Sequence, residues 1–132
     1  MTGVNRALYA FWAGFGLPAF LPGNVPDGAV LPWLTFEVVQ GSGMSAAVLT
    51  ATAWYKHAPQ SDPITDGQTP RAALLDAVAQ AIPAAGLRLD VPGEGFLLLD
   101  RNDGAWQTYV VDDDDPTIIG GRVSYIVRFY TA

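Results

Sequence analysis

The sequence predicts one α+β domain, a mostly antiparallel mixed sheet of about five strands with two helices packed on one face. Three observations carry that expectation. Trp33 to Gln40, Ala46 to Lys56 and Arg122 to Tyr130 alternate apolar with polar residues, as half-buried strands do. Two other segments repeat apolar residues at helical spacing. Glycine and proline fall between these segments, and with no internal repeat or low-complexity tail the whole of 1–132 reads as a single unit.

In the first helical segment, Asn5 to Phe15, Leu8, Trp12 and Phe15 share one face, and the segment ends at the Gly14 to Pro18 punctuation. Leu21 to Pro32 holds three prolines and two glycines, which no regular element tolerates, and reads as a contact loop. The strands Trp33 to Gln40 and Ala46 to Lys56 pair antiparallel across Gly41-Ser42-Gly43, with Trp33 and Trp54 expected to anchor them. After the polar span His57 to Gln68, Thr69 caps a helix with Pro70 at its first position. Its stripe is Leu74, Leu75, Val78 and Ile82, and Pro83 with Gly86 stops it. Leu87 to Val91 forms a short strand before the turn at Pro92. Phe96 to Leu99 and Trp106 to Val111 flank Asn102-Asp103-Gly104, which reads as a hairpin. The run Asp112 to Asp115, closed by Pro116, interrupts pairing before the last strand.

Hydrophobic residues make up 50% of the chain and charged residues 15%, against roughly 25% charged in a typical soluble domain. Too few charges remain to cover the outside, so part of the apolar surface is expected to meet another protein, and oligomerisation is the first functional inference. A net charge of −6 provides no positive field to gather phosphates, which argues against sequence-reading nucleic-acid binding. The absence of cysteine removes disulfides and thiolate chemistry. Apolar stretches are broken well short of about 18 residues, so no membrane helix is expected. The amino-terminal apolar run is interrupted by Gly14, Gly16, Pro18 and Pro22, and fits a packing helix of a chain made in the cytoplasm better than a signal peptide.

Candidate chemistry is sparse. His57, the one histidine, lies beside a loop and reads as a solvated turn residue rather than a general base. Ser42, Ser45, Ser61 and Ser124 lie in no Gly-x-Ser-x-Gly motif, and Gly93-Glu94-Gly95 reads as a turn. Asp112, Asp113, Asp114 and Asp115 supply oxygen ligands, but calcium loops alternate theirs so that the chain wraps the ion. A solvated acidic turn, on a rim or lining a passage where it repels DNA, is the better expectation. Neither a catalytic residue, nor a cofactor, nor a metal is expected.

The order of motifs resembles a known family. Leu8-Tyr9-Ala10-Phe11-Trp12, Gly16-Leu17-Pro18-Ala19-Phe20, Val25-Pro26-Asp27, Leu31-Pro32-Trp33-Leu34-Thr35-Phe36-Glu37, Thr52-Ala53-Trp54, Trp106-Gln107 and Tyr125-Ile126-Val127 follow one another as in the small tail terminator or tail completion proteins of tailed bacteriophages, some described as minor capsid or head-tail joining proteins. The chain departs from that pattern before Val25 and in the Asp112 to Asp115 run. The resemblance implies a subunit of a hexameric ring on the head-proximal end of the tail tube, with itself, the tube protein and a head-tail connector as partners and DNA passing without specific binding. Interface candidates are Leu21, Val25, Pro26, Asp27, Trp33, Trp54 and Tyr130. The alternatives are a connector or neck adaptor, a monomeric binding adaptor, and a small metal-dependent or hydrolytic enzyme using His57 with Asp112 to Asp115.

Overall fold

The structure is a computed structural model and describes residues 2–39, 47–56, 68–101, 106–111, 114–115 and 117–131. Helix α1 covers Thr2–Ala13, starting before Asn5 because Val4 extends the stripe: Val4, Leu8 and Trp12 are spaced by four and all are buried. Tight turns close it, Gly14 N donating to Phe11 O and Gly16 N to Ala13 O, each at 3.2 Å. Gly16 then adopts φ 88°, which favours glycine. Phe11 and Phe15 meet edge to face at 5.3 Å, and Phe15 lies beyond the helix rather than inside it.

The strands are β1 (Ala19–Phe20), β2 (Trp33–Val39) and β3 (Ala47–Lys56), followed after helix α2 (Gln68–Ala81) by β4 (Leu87–Val91), β5 (Gly95–Arg101), β6 (Gln107–Val111) and β7 (Ile118–Thr131). They form one sheet in the order β1-β2-β3-β7-β5-β4, with β6 also on β7. Among the described residues only β1 with β2 is parallel. The fold is therefore α+β with a mixed, mostly antiparallel sheet curled into a half-barrel.

Seven strands replace the expected five or so, and β1, with two residues, is too short to show alternation. In the register of β7, Arg101 is opposite Tyr125 and Gln107 is opposite Val123. Both β5 and β6 run antiparallel to β7, and they are two parts of one interrupted strand rather than a hairpin. Ser124 N donates to Trp106 O at 2.9 Å, keeping the ladder intact at the interruption. The hairpin is instead β4–β5, turned by Glu94 N donating to Val91 O (3.0 Å) with Gly93 at φ 77°.

Alternation assigns the faces. Leu34 and Phe36 of β2, Leu49, Ala51, Ala53 and Tyr55 of β3, Leu97 and Leu99 of β5 and Ile119, Val123, Tyr125 and Val127 of β7 form one buried cluster with α1, with Leu75 and Val78 of α2 and with Ile82 just after it. Both helices thus cover the same face. Helix α1 touches the outermost strands of both edges, β1 and β4, and closes the mouth of the half-barrel. It has no acidic residue in its first turn. Glu94 of the β4–β5 turn supplies one, its carboxylate occupying the space a Cβ on Gly3 would fill, beside the positive end of the helix dipole.

Two glycines fix the middle of the sheet. A Cβ on Gly121 would lie 3.1 Å from Leu75 and Arg71 of α2, and one on Gly120 would lie 3.0 Å from the Trp54 ring on the other face. Their bare backbone lets a helix and an indole approach the same point of β7 from opposite sides. Trp33 and Trp54 are register partners, as expected, but lie half-buried on the helix-free face. Trp12→Ala is therefore expected to cost about 3–5 kcal/mol in urea unfolding, and Trp54→Ala only about 1–2 kcal/mol. The reverse order would contradict this face assignment.

Candidate binding face

Among the described residues, no helix covers the second face of the sheet. Across β2, β3, β7 and β6 it is built in rows: Trp33, Trp54, Gly120 and Val110, then Thr35, Thr52, Arg122 and Thr108, then Glu37, Thr50 and Ser124. Period-two alternation places these residues together, because every partner of a core residue in one strand has its neighbours on the far side. At the other end, Tyr130 stacks on Phe96 with centroids 5.1 Å apart, and the Arg88 guanidinium lies 3.9 Å over Phe96. Arg128 pairs with Asp100 at 3.0 Å and Arg88 with Asp90 at 3.1 Å. The face thus has aromatic ends and a hydroxyl-rich middle.

The expected interface residues divide. Trp33, Trp54 and Tyr130 lie on this face, Tyr130 with 43% of its surface exposed. Leu21 is partly buried against the core and Val25 is half-buried, whereas Pro26 and Asp27 are exposed. Their loop consists of two turns, closed by Asn24 N to Leu21 O (3.0 Å) and Ala29 N to Pro26 O (3.1 Å), and it presents Val30 at 82% exposure. Gly23 and Gly28 take the positive φ these turns need.

Of the acidic run, Asp112 and Asp113 lie outside the described residues, as does His57. Asp114 is exposed. Asp115 is tied down: Thr117 donates to it from its hydroxyl (2.6 Å) and its amide (2.9 Å), and Lys56 Nζ lies 3.9 Å away. Hydrogen bonds from Thr117, more than Lys56, hold the Asp115 carboxyl below the usual aspartate range. It caps the start of β7 and is not a bare solvated acid. Among the described residues no three His, Cys, Asp or Glu side chains are grouped to hold a metal, and no helix is long and apolar enough to cross a membrane.

Several residues with structural roles escaped the sequence reading. Arg71 is buried on α2, its guanidinium 4.0 Å over the Tyr109 ring and Nη1 3.4 Å from Gly120 O, and burial lowers its pKa. Gln107 Nε2 donates to Leu75 O at 2.9 Å. Arg122 Nε donates to Thr52 Oγ1 at 3.1 Å. A basic residue inside an alternating pattern carries no local signal of what it faces.

The geometry defines a small α+β domain in which, among the described residues, both helices cover one sheet face and none covers the other. No protein-family model, no curated protein and no solved structure matches the chain.

Two outcomes follow from the acidic segment. Melting curves with EDTA and with Ca²⁺ are expected to coincide, and a rise of several degrees with Ca²⁺ would locate a metal there. Because the folded pKa of Asp115 is depressed, its stabilisation is present above the unfolded value and is lost as pH falls through the folded one. Asp115→Asn should therefore narrow the difference in Tm between about pH 6 and about pH 3.

Proposed function

We propose that the chain is a structural virion assembly protein: a subunit of a ring, hexameric as in the family it resembles, at the head-proximal end of a phage tail tube. There it ends tube polymerisation and offers the surface for head-tail joining, after assembly in the host cytoplasm. The observation that supports this best is the open sheet face with Trp33 and Trp54 at one end and Phe96 and Tyr130 at the other. In a chain with 15% charged residues, aromatic ends on an uncovered face suit burial against a neighbour. The preset turns of the Leu21 to Pro32 loop lower the ordering cost of a second contact. Partners under this reading are further copies of the chain, the tube protein and the connector, with no membrane and with DNA passing unbound past a chain of net charge −6. The chain is then no enzyme, and His57 and the acidic run serve no reaction.

Light scattering should give a multiple of 14.0 kDa, at high concentration or on tail tubes. Electron microscopy should show capped tubes of uniform length. Deleting Asn24 to Gly28 should block assembly and leave a folded monomer, while Asn at Asp112 to Asp115 should leave rings intact. Normal capping by the loop deletion, or loss of rings on neutralising the acids alone, would overturn this reading. Binding to the connector without any control of tube length would identify a neck adaptor instead.

A further inference from the structure

The middle of the open face is a cavity of about 530 Å³ whose walls include Pro22, Glu37, Thr52, Trp54, Thr108 and Arg122. That volume lies within the roughly 300–1,000 Å³ typical of pockets that take small ligands. Its chemistry is distinctive within this chain. The other described basic groups of the sheet are engaged: Arg88 and Arg128 with aspartates, Lys56 with Asp115 and Thr117, and Arg101 over Trp106 at 4.1 Å. Among the described residues no carboxylate pairs with Arg122, which is exposed and whose Nε is held by the neutral Thr52 hydroxyl. That single bond orients the guanidinium and leaves its two terminal nitrogens, the fork that grips a carboxylate through two parallel N–H bonds. Thr35, Thr50 and Thr108 surround it with hydroxyls, each able to donate or accept toward a peptide backbone. The indole of Trp54 provides an apolar wall.

We infer that this cavity is a carboxylate-recognition site, which takes an acidic side chain carried on an extended peptide segment of a protein partner. Arg122 grips the carboxylate, Thr52 is the positioning residue that fixes the guanidinium, and Trp54 covers the segment. A nucleic-acid phosphate backbone is the poorer match. Duplex binding needs several cations in a row, whereas Arg122 is the one cation among the described residues that line this cavity. The inference does not depend on ring formation.

The test is a fluorescence titration of the full chain with a capped hexapeptide of alternating Thr and Glu. The Trp54 signal is assigned by its loss in Trp54→Phe. The expected result is a saturable change that the matching Thr/Gln peptide does not produce. Arg122→Gln should weaken binding about tenfold or more, the loss of one charge-assisted contact. Arg122→Lys should fall between the two, and Thr52→Val should weaken binding less than Arg122→Gln. Arg122 is exposed and gives up one hydrogen bond to Thr52, so Arg122→Gln should still melt cooperatively with at most a small fall in Tm, which separates recognition from folding. No saturable response, equal binding of the Thr/Gln peptide, equal binding by Arg122→Gln, or tighter binding of inorganic phosphate or a short DNA duplex would each overturn it. Rings that assemble normally while Arg122→Gln binds the peptide unchanged would remove this inference and leave the ring proposal standing. Peptide binding by a chain that never forms rings would do the opposite.

Discussion

The arrangement depends on β7 accepting a helix on one face and an indole on the other at the same place. Gly120 and Gly121 make this sterically permissible, because any side chain at either position would meet Trp54 or α2. Helix α2 gains its seat there. Its buried Arg71 reaches past Gly121 to the Gly120 carbonyl and lies under Tyr109 of β6, so one cationic side chain joins helix, central strand and edge strand. On the opposite face the bare backbone of Gly120 lets the Trp54 ring, one wall of the polar cavity, lie close on the sheet. Core packing and the open face are thus two results of one steric fact.

The second organising feature is the change of partner along β7. One edge of the strand is occupied by β3 throughout most of its length, whereas the other passes from β6 to β5 around Ser124. An interruption of this kind bends the ladder, and the bend needs filling. Trp106 fills it, with Arg101 over its ring and the Tyr125 ring 6.2 Å away. Burial pushes the Tyr125 hydroxyl up to about 12, against the opposing pull of the Arg101 charge, so the phenol stays neutral at any ordinary pH. The curl of the sheet is therefore locked by apolar and stacked contacts rather than by ion pairs.

Much of this architecture was legible in local pattern. The paired strands around Trp33 and Trp54, the terminal strand and the stripe of α2 each repeat at a period that their own residues declare. What escaped was non-local. Asn102-Asp103-Gly104 has turn chemistry, yet turn chemistry states only that the chain leaves the strand direction, not whether it returns to the same edge. The start of β7 was missed because Gly120 and Gly121 look like breakers, when their value comes from what approaches them from elsewhere. Among the site residues, Trp33, Trp54 and Tyr130 stood out as aromatics in alternating strands. Arg122 did not, since its importance comes from which strands lie beside it.

The closure of the half-barrel by α1 bears on how the chain is made. Translation produces Leu8, Phe11 and Trp12 before their partners, because β4 and the Glu94 that complements the start of the helix belong to a hairpin that is translated some 80 residues later. At roughly 5–20 residues per second, the nascent helix waits on the order of ten seconds for its partners. During that interval a 12-residue helix is too short to persist alone in water, and its apolar stripe is exposed at the ribosome. Docking of this segment accordingly waits for the β4–β5 hairpin, and until then the growing chain is a natural client for whatever chaperone meets it first.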